Sequence, residues 1–167
     1  MIIAIIYSTI DPSTKKSCKI LSKKLNADVQ LIPIEIAKSE CILKYNFIIL
    51  ASSAIRGKVQ GSFKRYISRN FKTIKEKPKS LIINCEDDVN INEILNKTFT
   101  EEIVKSSFIS SNFGFEMNQN ENFFDKIKRN KLFKKDKKNE KDIPNLNLRE
   151  IDNYADYINN MIAKRVD

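Results

Sequence analysis

Residues 1–16, MIIAIIYSTIDPSTKK, contain the pattern that decides the fold. The segment opens with an uninterrupted apolar run from Ile2 to Tyr7, continues with short polar residues and ends in lysines. A strand that is buried on both faces of a parallel sheet has such a continuous apolar run. Asp11 and Pro12 are typical of the N-cap and the first position of a helix. The segment is therefore predicted to form a buried strand, a hydroxyl-rich loop and a helix N-terminus.

The predicted loop is a place where a phosphate group can bind. The first backbone N–H groups of a helix have no partner inside the helix, and the helix dipole adds partial positive charge at the same end. The polar residues that accompany these N–H groups are Ser8, Thr9, Asp11, Ser13 and Thr14.

Strand-like and helix-like patterns alternate along the rest of the chain. Further strands are predicted at residues 28–34, 45–51, 80–85 and 108–115, and Pro33 suits the first of these to a sheet edge. Helices are predicted from Pro12 to Asn26, after residue 58, across residues 91–105, and after Asn147, which with Glu150 resembles a capping box. The residues predicted to face inward from these helices are Thr14, Cys18, Leu21, Leu25, Val59, Phe63, Tyr66, Ile67, Ile94, Leu95, Phe99, Ile103, Ile151, Tyr154, Ile158 and Met161 or Ile162.

This alternation predicts an α/β three-layer sandwich. Its sheet has five parallel strands in the order 2-1-3-4-5, with helices on both faces. In such a sheet a ligand binds beyond the carboxyl ends of the strands, near the switch between the first and third strands. Three polar loops are expected to meet there, at residues 8–14, 52–58 and 84–88.

The composition excludes several kinds of chemistry. The chain has no histidine, which excludes histidine-based triads, histidine acid–base catalysis and histidine metal sites. Cys18, Cys41 and Cys85 lack metal-ligand spacing and are expected to be reduced thiols, so no metal site is predicted. Cys85 could act as a redox thiol, but packing at a strand end is the preferred interpretation because no activating group is adjacent. Any enzyme here must use a cofactor, or carboxylates, lysine, tyrosine or cysteine.

The formal net charge of +9 has two interpretations. It fits an anionic partner, such as a membrane surface or nucleic acid, and it also follows from a general richness in Lys, Ile and Asn, which we prefer. Residues 116–146 are especially rich in Lys and Asn and include the run FFDKIKRNKLFKK. This segment is expected to cover a sheet edge, with docking on an anionic membrane as the alternative. We expect no specific nucleic-acid binding.

Location follows from the apolar runs. None reaches the roughly 18 residues needed to span a bilayer, and the N-terminal run is too short for a signal peptide. We expect a cytoplasmic protein, with peripheral contact at the inner membrane surface through the basic segment as an alternative.

Three short motifs resemble the flavodoxin family. They are YSTIDPSTKK after the first strand, SSAIRGK after the third and NCEDD after the fourth. The likeness is closest to the branch of menaquinone-dependent protoporphyrinogen dehydrogenases, which has a Y-S-T-x-D-G-x-T first loop and an extra segment before the last helix. The resemblance covers nearly the whole chain. It implies a single flavodoxin-like domain over residues 1–167, with a Lys/Asn-rich insert at about 116–146.

The resemblance also implies that FMN is the cofactor. The first loop would hold the phosphate, and the second and third loops would flank the isoalloxazine ring. The protein would be an FMN-binding oxidoreductase or electron-transfer protein, with a redox partner or a quinone or porphyrinogen substrate, and no catalytic side chain is assigned. The residues implied for the FMN site are Ser8, Thr9, Ile10, Asp11, Ser13, Thr14, Ser53, Ala54, Ile55, Arg56, Gly57, Asn84, Cys85, Glu86 and Asp87.

Two departures from the family pattern support an alternative. Pro12 stands where the family has glycine and supplies no backbone N–H, and the second and third loops contain no aromatic residue to stack on a flavin. The alternative is a flavin-free binding or interaction module. The charges around the ring also conflict, because Arg56 would raise the reduction potential whereas Glu86, Asp87 and Asp88 would lower it.

Overall fold

A computed structural model describes residues 1–8, 12–37, 42–86, 90–115 and 146–164. The sequence also predicts a short helical turn at residues 40–43, and residues 40 and 41 lie outside these ranges. The predicted insert lies outside them except for residue 146. In chain order the elements are β1 (Ile2–Ser8), α1 (Pro12–Lys24), β2 (Asp28–Pro33), β3 (Phe47–Ile55), β4 (Lys58–Val59), α2 (Gly61–Arg69), α3 (Phe71–Glu76), β5 (Lys79–Asn84), α4 (Ile91–Thr98), α5 (Glu101–Lys105), β6 (Ser110–Ser111) and α6 (Leu148–Ala163).

The sheet confirms the predicted architecture. Its order is β2-β1-β3-β5-β6, with every neighbouring pair parallel, and β2 is an edge strand. This is the predicted order 2-1-3-4-5, because the additional strand β4 pairs only with β3. The three central strands are buried along almost their whole length, which explains their continuous apolar sequences.

Two apolar clusters form the layers on either face of the sheet. On one face, Cys18 and Leu21 of α1 pack with Tyr154 and Ile158 of α6. On the other face, helices α2 to α5 contribute the larger cluster, which includes Phe63. The residues predicted to face inward from the helices do so, but three of them lie outside helices. Val59 reaches the core from β4, Leu25 follows the end of α1, and Phe99 lies between α4 and α5. Among the described residues, no helix has the length and apolarity needed to cross a bilayer.

The prediction of a polar loop at residues 52–58 is wrong. β3 does not end near Ala51 but continues to Ile55, where the chain turns and pairs back through β4. Residues 52–55 are thus strand and only Arg56 and Gly57 form the turn. Both residues have positive φ, 51° and 70°, as a two-residue hairpin requires. Small polar side chains suggested a loop here, but their burial between neighbouring strands favours extended backbone.

The predicted helix at residues 91–105 is two helices. Phe99 and Thr100 adopt extended backbone between α4 and α5. The ring of Phe99 packs edge-on against Phe63, with centroids 5.9 Å apart, and the Thr100 carbonyl accepts the first hydrogen bonds of α5. The helix is therefore interrupted where Phe99 packs in the core, and the periodic spacing of apolar residues does not reveal this interruption.

The predicted strand at residues 108–115 is reduced to Ser110–Ser111. The chain then leaves the ladder, because the Asn112 side-chain oxygen accepts from the backbone N–H groups of Cys85 and Gly114, at 3.0 and 2.9 Å. Gly114 has a φ of 76° and forms an isolated antiparallel bridge with Leu146. The chain thus returns at residue 146 beside the point reached at residue 114.

The N-terminus of α6 matches half of the predicted capping box. The Asn147 side chain accepts from the Glu150 backbone N–H at 3.0 Å. The Glu150 carboxylate instead accepts a hydrogen bond from the Ser111 hydroxyl. This contact ties α6 to β6.

Candidate functional site

The carboxyl ends of three parallel strands form one row at the edge of the sheet. Ser8 at the end of β1 pairs in register with Ser52 of β3, and Ser53 pairs with Asn84 at the end of β5. All four side chains are buried. The strand pairing therefore brings the three sequence segments predicted to form a ligand site to the same edge, as expected for a parallel sheet.

The first turn of α1 supplies the hydroxyl groups nearest the helix N-terminus. Ser13 and Thr14 are fully buried there, directly after Pro12. The Thr14 hydroxyl oxygen is buried and has no hydrogen-bond partner among the described residues. A buried hydroxyl without a partner costs about 1–3 kcal/mol, so this atom suits a ligand acceptor that completes its bonding. Thr9, Ile10 and Asp11 lie outside the described residues.

Ser8 joins the first segment to the second. Its hydroxyl donates to the Gln60 side-chain oxygen, which also accepts from the Ser62 hydroxyl at 3.3 Å. Gln60 precedes α2 and therefore holds the end of β1 against the start of that helix. Sequence reasoning missed Gln60, because only the hairpin brings residue 60 back to this edge.

The second segment is a β-hairpin that projects beyond the neighbouring strands. The last two residues of β3, Ala54 and Ile55, extend past the ends of β1 and β5 and pair with β4. Ser53 and Ala54 are buried inside this strand, Ile55 is half-buried and Arg56 is exposed. Within the second segment, the side chains nearest the surface are therefore those of Ile55 and Arg56, with Gly57 beside them, and the predicted contact of Ser53 and Ala54 with a ligand stays a prediction.

The third segment is held from below by the buried Asn84 amide. Its nitrogen donates to the Gly114 carbonyl at 2.9 Å, and its oxygen accepts from the Ser17 hydroxyl at 3.3 Å. Cys85 is buried and Glu86 is half-buried. Asp87 lies outside the described residues. Asn84 thus anchors the third segment through its side chain. Two residues that contact this segment were missed from the sequence: Ser17, which bonds Asn84, and Asn112, which accepts from the Cys85 backbone N–H.

Titratable groups under the site are held in their neutral forms. Burial raises the pKa of the Cys18 thiol to about 12, only partly offset by a hydrogen bond with Ser17. Burial also raises the pKa of Tyr7, near the end of β1, with smaller contributions from Cys18 and Glu35. Cys18 therefore packs as an apolar side chain and is not a reactive thiolate.

The described residues fit the phosphate end of FMN. Ser13 and Thr14 place two backbone N–H groups in the first turn of a 13-residue helix, and the Thr14 hydroxyl, which has no hydrogen-bond partner among the described residues, is a third donor. The isoalloxazine end of FMN would lie between the hairpin tip and the third segment. The described side chains there are aliphatic Ile55 and the charged residues Arg56 and Glu86. A group with a phosphate at one end and a flat ring at the other therefore matches the order of these segments.

Comparisons with known proteins agree with the fold. A family model described as a flavodoxin domain matches residues 4–143. No match is found among curated protein sequences. The structure is similar to a flavodoxin of Streptococcus pneumoniae, with a TM-score of 0.57, 9% identity, and coverage of 95% of this chain and 97% of that one.

Two further flavodoxin structures show the same architecture over a smaller part of the chain. A flavodoxin from the domain Archaea aligns with a TM-score of 0.53 and 14% identity, over 67% of this chain and 83% of that chain. The two-electron reduced flavodoxin of Megasphaera elsdenii aligns with a TM-score of 0.52 and 11% identity, over 66% and 84%. At these identities the likeness establishes the fold alone.

Proposed function

Because this chain belongs to the flavodoxin family, we propose that it binds FMN at the carboxyl edge of its sheet and acts as an electron-transfer protein or FMN-dependent oxidoreductase. The observation that carries the proposal is the Thr14 hydroxyl, which is buried without a described partner in the first turn of α1. A bound phosphate would accept a hydrogen bond from it and from backbone N–H groups of the same turn.

The protein's own contribution is binding and orientation. FMN supplies the redox chemistry when bound, since its ring accepts and donates electrons. Ser13 and Thr14 would donate to its phosphate, and Gln60 would keep the end of β1 in place through the Ser8 hydroxyl. Asn84 would hold the third segment at the ring edge through its bonds to Ser17 and Gly114.

Two charged residues near the expected ring position would set its reduction potential. Arg56 at the exposed hairpin tip would stabilise a negatively charged reduced ring and raise the potential. Glu86 in the third segment would act in the opposite direction. The balance between these two charges would depend on how closely each side chain approaches the ring.

A narrower proposal is activity like that of protoporphyrinogen dehydrogenases. Its support is the likeness of the three loop motifs to that branch and the basic net charge of +9. The matching family model is described only as a flavodoxin domain. Porphyrin fluorescence would test this role directly, in a mixture of FMN-loaded protein, protoporphyrinogen and a menaquinone analogue.

The first experiment is an absorption spectrum of the purified protein, before and after incubation with FMN and removal of free ligand. We expect flavin bands that survive desalting. A parallel titration with riboflavin, which lacks the phosphate, should show much weaker quenching of flavin fluorescence than FMN does. Equal affinities for the two compounds would contradict a phosphate site at Thr14.

A colourless protein under both conditions would reject FMN binding. That outcome would favour the flavin-free binding module, since Pro12 supplies no N–H in the phosphate loop. The folded state of the same sample, checked by circular dichroism, must be intact for this conclusion.

A further inference from the structure

One exposed helical face carries four positive charges that no carboxylate pairs with in the described part of the chain. Its residues, here named the cationic face, are Lys64, Arg65 and Arg69 of α2 and Lys72 of α3. All four are exposed, and none forms an ion pair with a described residue. The two helices contain one acidic residue, Glu76, which is the last residue of α3. The cationic face therefore has almost no opposite charge within its own segment.

α2 and α3 follow one helical path, although a single residue separates them. The Asn70 backbone N–H donates to the Tyr66 carbonyl at 3.1 Å, and the Asn70 carbonyl accepts from the Ile74 N–H at 2.9 Å. Both bonds have the spacing of an α-helix, in which residues 64 and 72 lie about 12 Å apart along the axis. Over that length one strand of a nucleic-acid duplex carries about four phosphates.

The acidic side chains of the other helices on this face of the sheet are already paired. Glu93 of α4 and Glu101 of α5 each contact the lysine four residues later in the same helix. Glu102 of α5 contacts Lys75 of α3 at 2.9 Å. These are all the carboxylates of α4 and α5, so neither helix supplies a free negative charge to the cationic face.

The segment on the other side of α3 is balanced in charge. It lies beside α3 because the Lys77 ammonium donates to the Leu43 carbonyl at 2.9 Å. Residues 34–45 contain two acidic and two basic residues. This segment therefore adds no net negative charge next to the cationic face.

The lysines of α1 have a different environment, although that helix also lacks acidic residues. α6 packs against α1 and carries Asp152 and Asp156 one turn apart, and Asp152 contacts Lys24 at 2.5 Å. α1 also contains no arginine. Its lysines therefore lie beside carboxylates of a neighbouring helix and provide an internal comparison for the cationic face.

We infer that the cationic face binds the phosphate backbone of a nucleic-acid duplex without reading its sequence. Lysines and arginines clustered along one helix are the electrostatic pattern that phosphate backbones attract. Arg65 and Arg69 add guanidinium groups, which bind a phosphate through two parallel hydrogen bonds. The inference goes beyond the proposed function, because it requires no flavin.

The surroundings of the cationic face favour a duplex over a membrane or a single strand. No large exposed hydrophobic residue is described on α2 or α3, whereas helices that bind membrane surfaces combine basic and apolar side chains. Phe63 and Tyr66 are buried, and Phe71 is half-buried with the Lys75 ammonium 6.0 Å from its ring centre. The face therefore offers no open aromatic platform for the bases of a single strand.

The test measures binding to a short fluorescein-labelled DNA duplex of mixed sequence by fluorescence anisotropy, between about 50 and 200 mM salt. Four phosphate contacts predict a slope of about −3.6 for the logarithm of the binding constant against the logarithm of salt concentration. The affinity should therefore fall roughly 150-fold across this range. No measurable binding at the lowest salt, or a slope shallower than about −2, would overturn the inference.

Two charge-matched double variants localise the contact. Arg69→Gln with Lys72→Gln should make the slope shallower by about 1.8, because two phosphate contacts are lost. Lys19→Gln with Lys23→Gln removes the same charge from exposed lysines of α1 and should change the slope by less than about 0.5. Equal effects of the two variants would overturn the inference, since total charge and not this face would then control binding.

A charge-preserving variant and two competitors complete the test. Arg69→Lys with Lys72→Arg keeps both charges and should keep the slope of the unmodified protein. A single-stranded oligonucleotide with the same number of phosphates, or phosphatidylserine vesicles with the same accessible phosphate concentration, should bind more weakly than the duplex. Tighter binding to either competitor would overturn the inference.

FMN uptake separates this inference from the proposed function. The substituted residues lie outside the expected FMN site, so each variant should take up FMN as the unmodified protein does. Duplex binding by a chain that takes up no FMN would support the inference while the proposed function fails. FMN uptake by a chain that does not bind the duplex would have the opposite meaning.

Discussion

The Ser17 hydroxyl lies 3.3 Å from the side-chain oxygen of Asn84 and joins α1 to the end of β5 across the floor of the site. The same hydroxyl lies 3.0 Å from the Thr14 carbonyl oxygen. The Asn84 amide nitrogen continues the connection to the Gly114 carbonyl at 2.9 Å. Through one buried amide, the expected phosphate helix, the third site segment and the chain beyond β6 are held in one arrangement.

Replacement of this amide should lower both stability and cofactor affinity. Asn84→Leu leaves the Ser17 hydroxyl and the Gly114 carbonyl without this partner, and we expect the free energy of unfolding to fall by about 3 kcal/mol. Urea denaturation measures the loss. The exposed substitution Asn160→Leu on α6 should change it by less than about 0.5 kcal/mol. A loss as small in Asn84→Leu would mean that the amide contributes little.

Thr14→Val should change stability and FMN affinity in opposite directions. The substitution keeps the shape of the side chain and removes a buried hydroxyl that has no described partner. We expect the flavin-free protein to gain about 1 kcal/mol in free energy of unfolding. Loss of a hydrogen bond to a charged phosphate should weaken FMN binding by about ten- to a hundredfold. Thermal unfolding and fluorescence titration measure the two effects.

A second hydroxyl on the same helix provides the control for Thr14. Ser22 donates to the Lys19 carbonyl at 3.0 Å near the other end of α1. Ser22→Ala should leave FMN affinity unchanged. If Thr14→Val lowers stability and leaves affinity intact, the hydroxyl serves the fold and not a ligand.

Arg56→Asn separates the backbone strain of the hairpin from its charge. Arg56 has a φ of 51°, a conformation that asparagine tolerates better than arginine. We expect the free energy of unfolding to rise by about 0.5 kcal/mol. In the FMN-loaded protein, loss of the positive charge should lower the midpoint potential by about 20 mV, which corresponds to roughly 1 kcal/mol for two electrons. Spectroelectrochemical titration measures this shift, and an unchanged midpoint potential would place Arg56 away from the ring.

The buried Cys18 thiol and Tyr154 hydroxyl should make the protein lose stability at alkaline pH. Burial raises the pKa of Cys18 from 9.0 to about 12, so the folded state holds a proton that the unfolded state has already released. The associated stability is complete below pH 9.0 and is lost as pH rises towards 12, by up to about 1.4 kcal/mol per pH unit. Burial raises the pKa of Tyr154 as well, and the sign is the same.

Lys79 opposes this trend only up to its ordinary pKa of 10.5. Burial lowers its pKa in the folded state, so its contribution improves as pH rises through the folded value and levels off at 10.5. Cys18→Ala should therefore flatten the decline in unfolding free energy most clearly above pH 10.5. Urea titrations from neutral to alkaline pH measure the slope, and an unchanged slope would show that Cys18 ionises with little penalty.

Local sequence patterns were sufficient to predict an element whose conformation depends mainly on its own residues. The apolar run before Ser8 predicts β1, and Pro12 predicts the start of α1. Patterns failed where two segments compete for the same group. The carboxylate of Glu150 bonds Ser111 instead of completing the capping box, and Phe99 packs on Phe63 where the helical pattern is broken. Neither partner is close in sequence, so no local pattern contains it.

By itself the sequence determined the strand order and the edge of the sheet where a ligand can bind, because burial of continuous apolar runs requires a parallel sheet covered on both faces. Only the tertiary structure decided that residues 52–55 are strand and that Asn84 bonds Ser17 and Gly114. It alone left the Thr14 hydroxyl without a described partner. Hydrogen-bond partners of buried polar groups come from distant parts of the chain, and only packing brings them within reach.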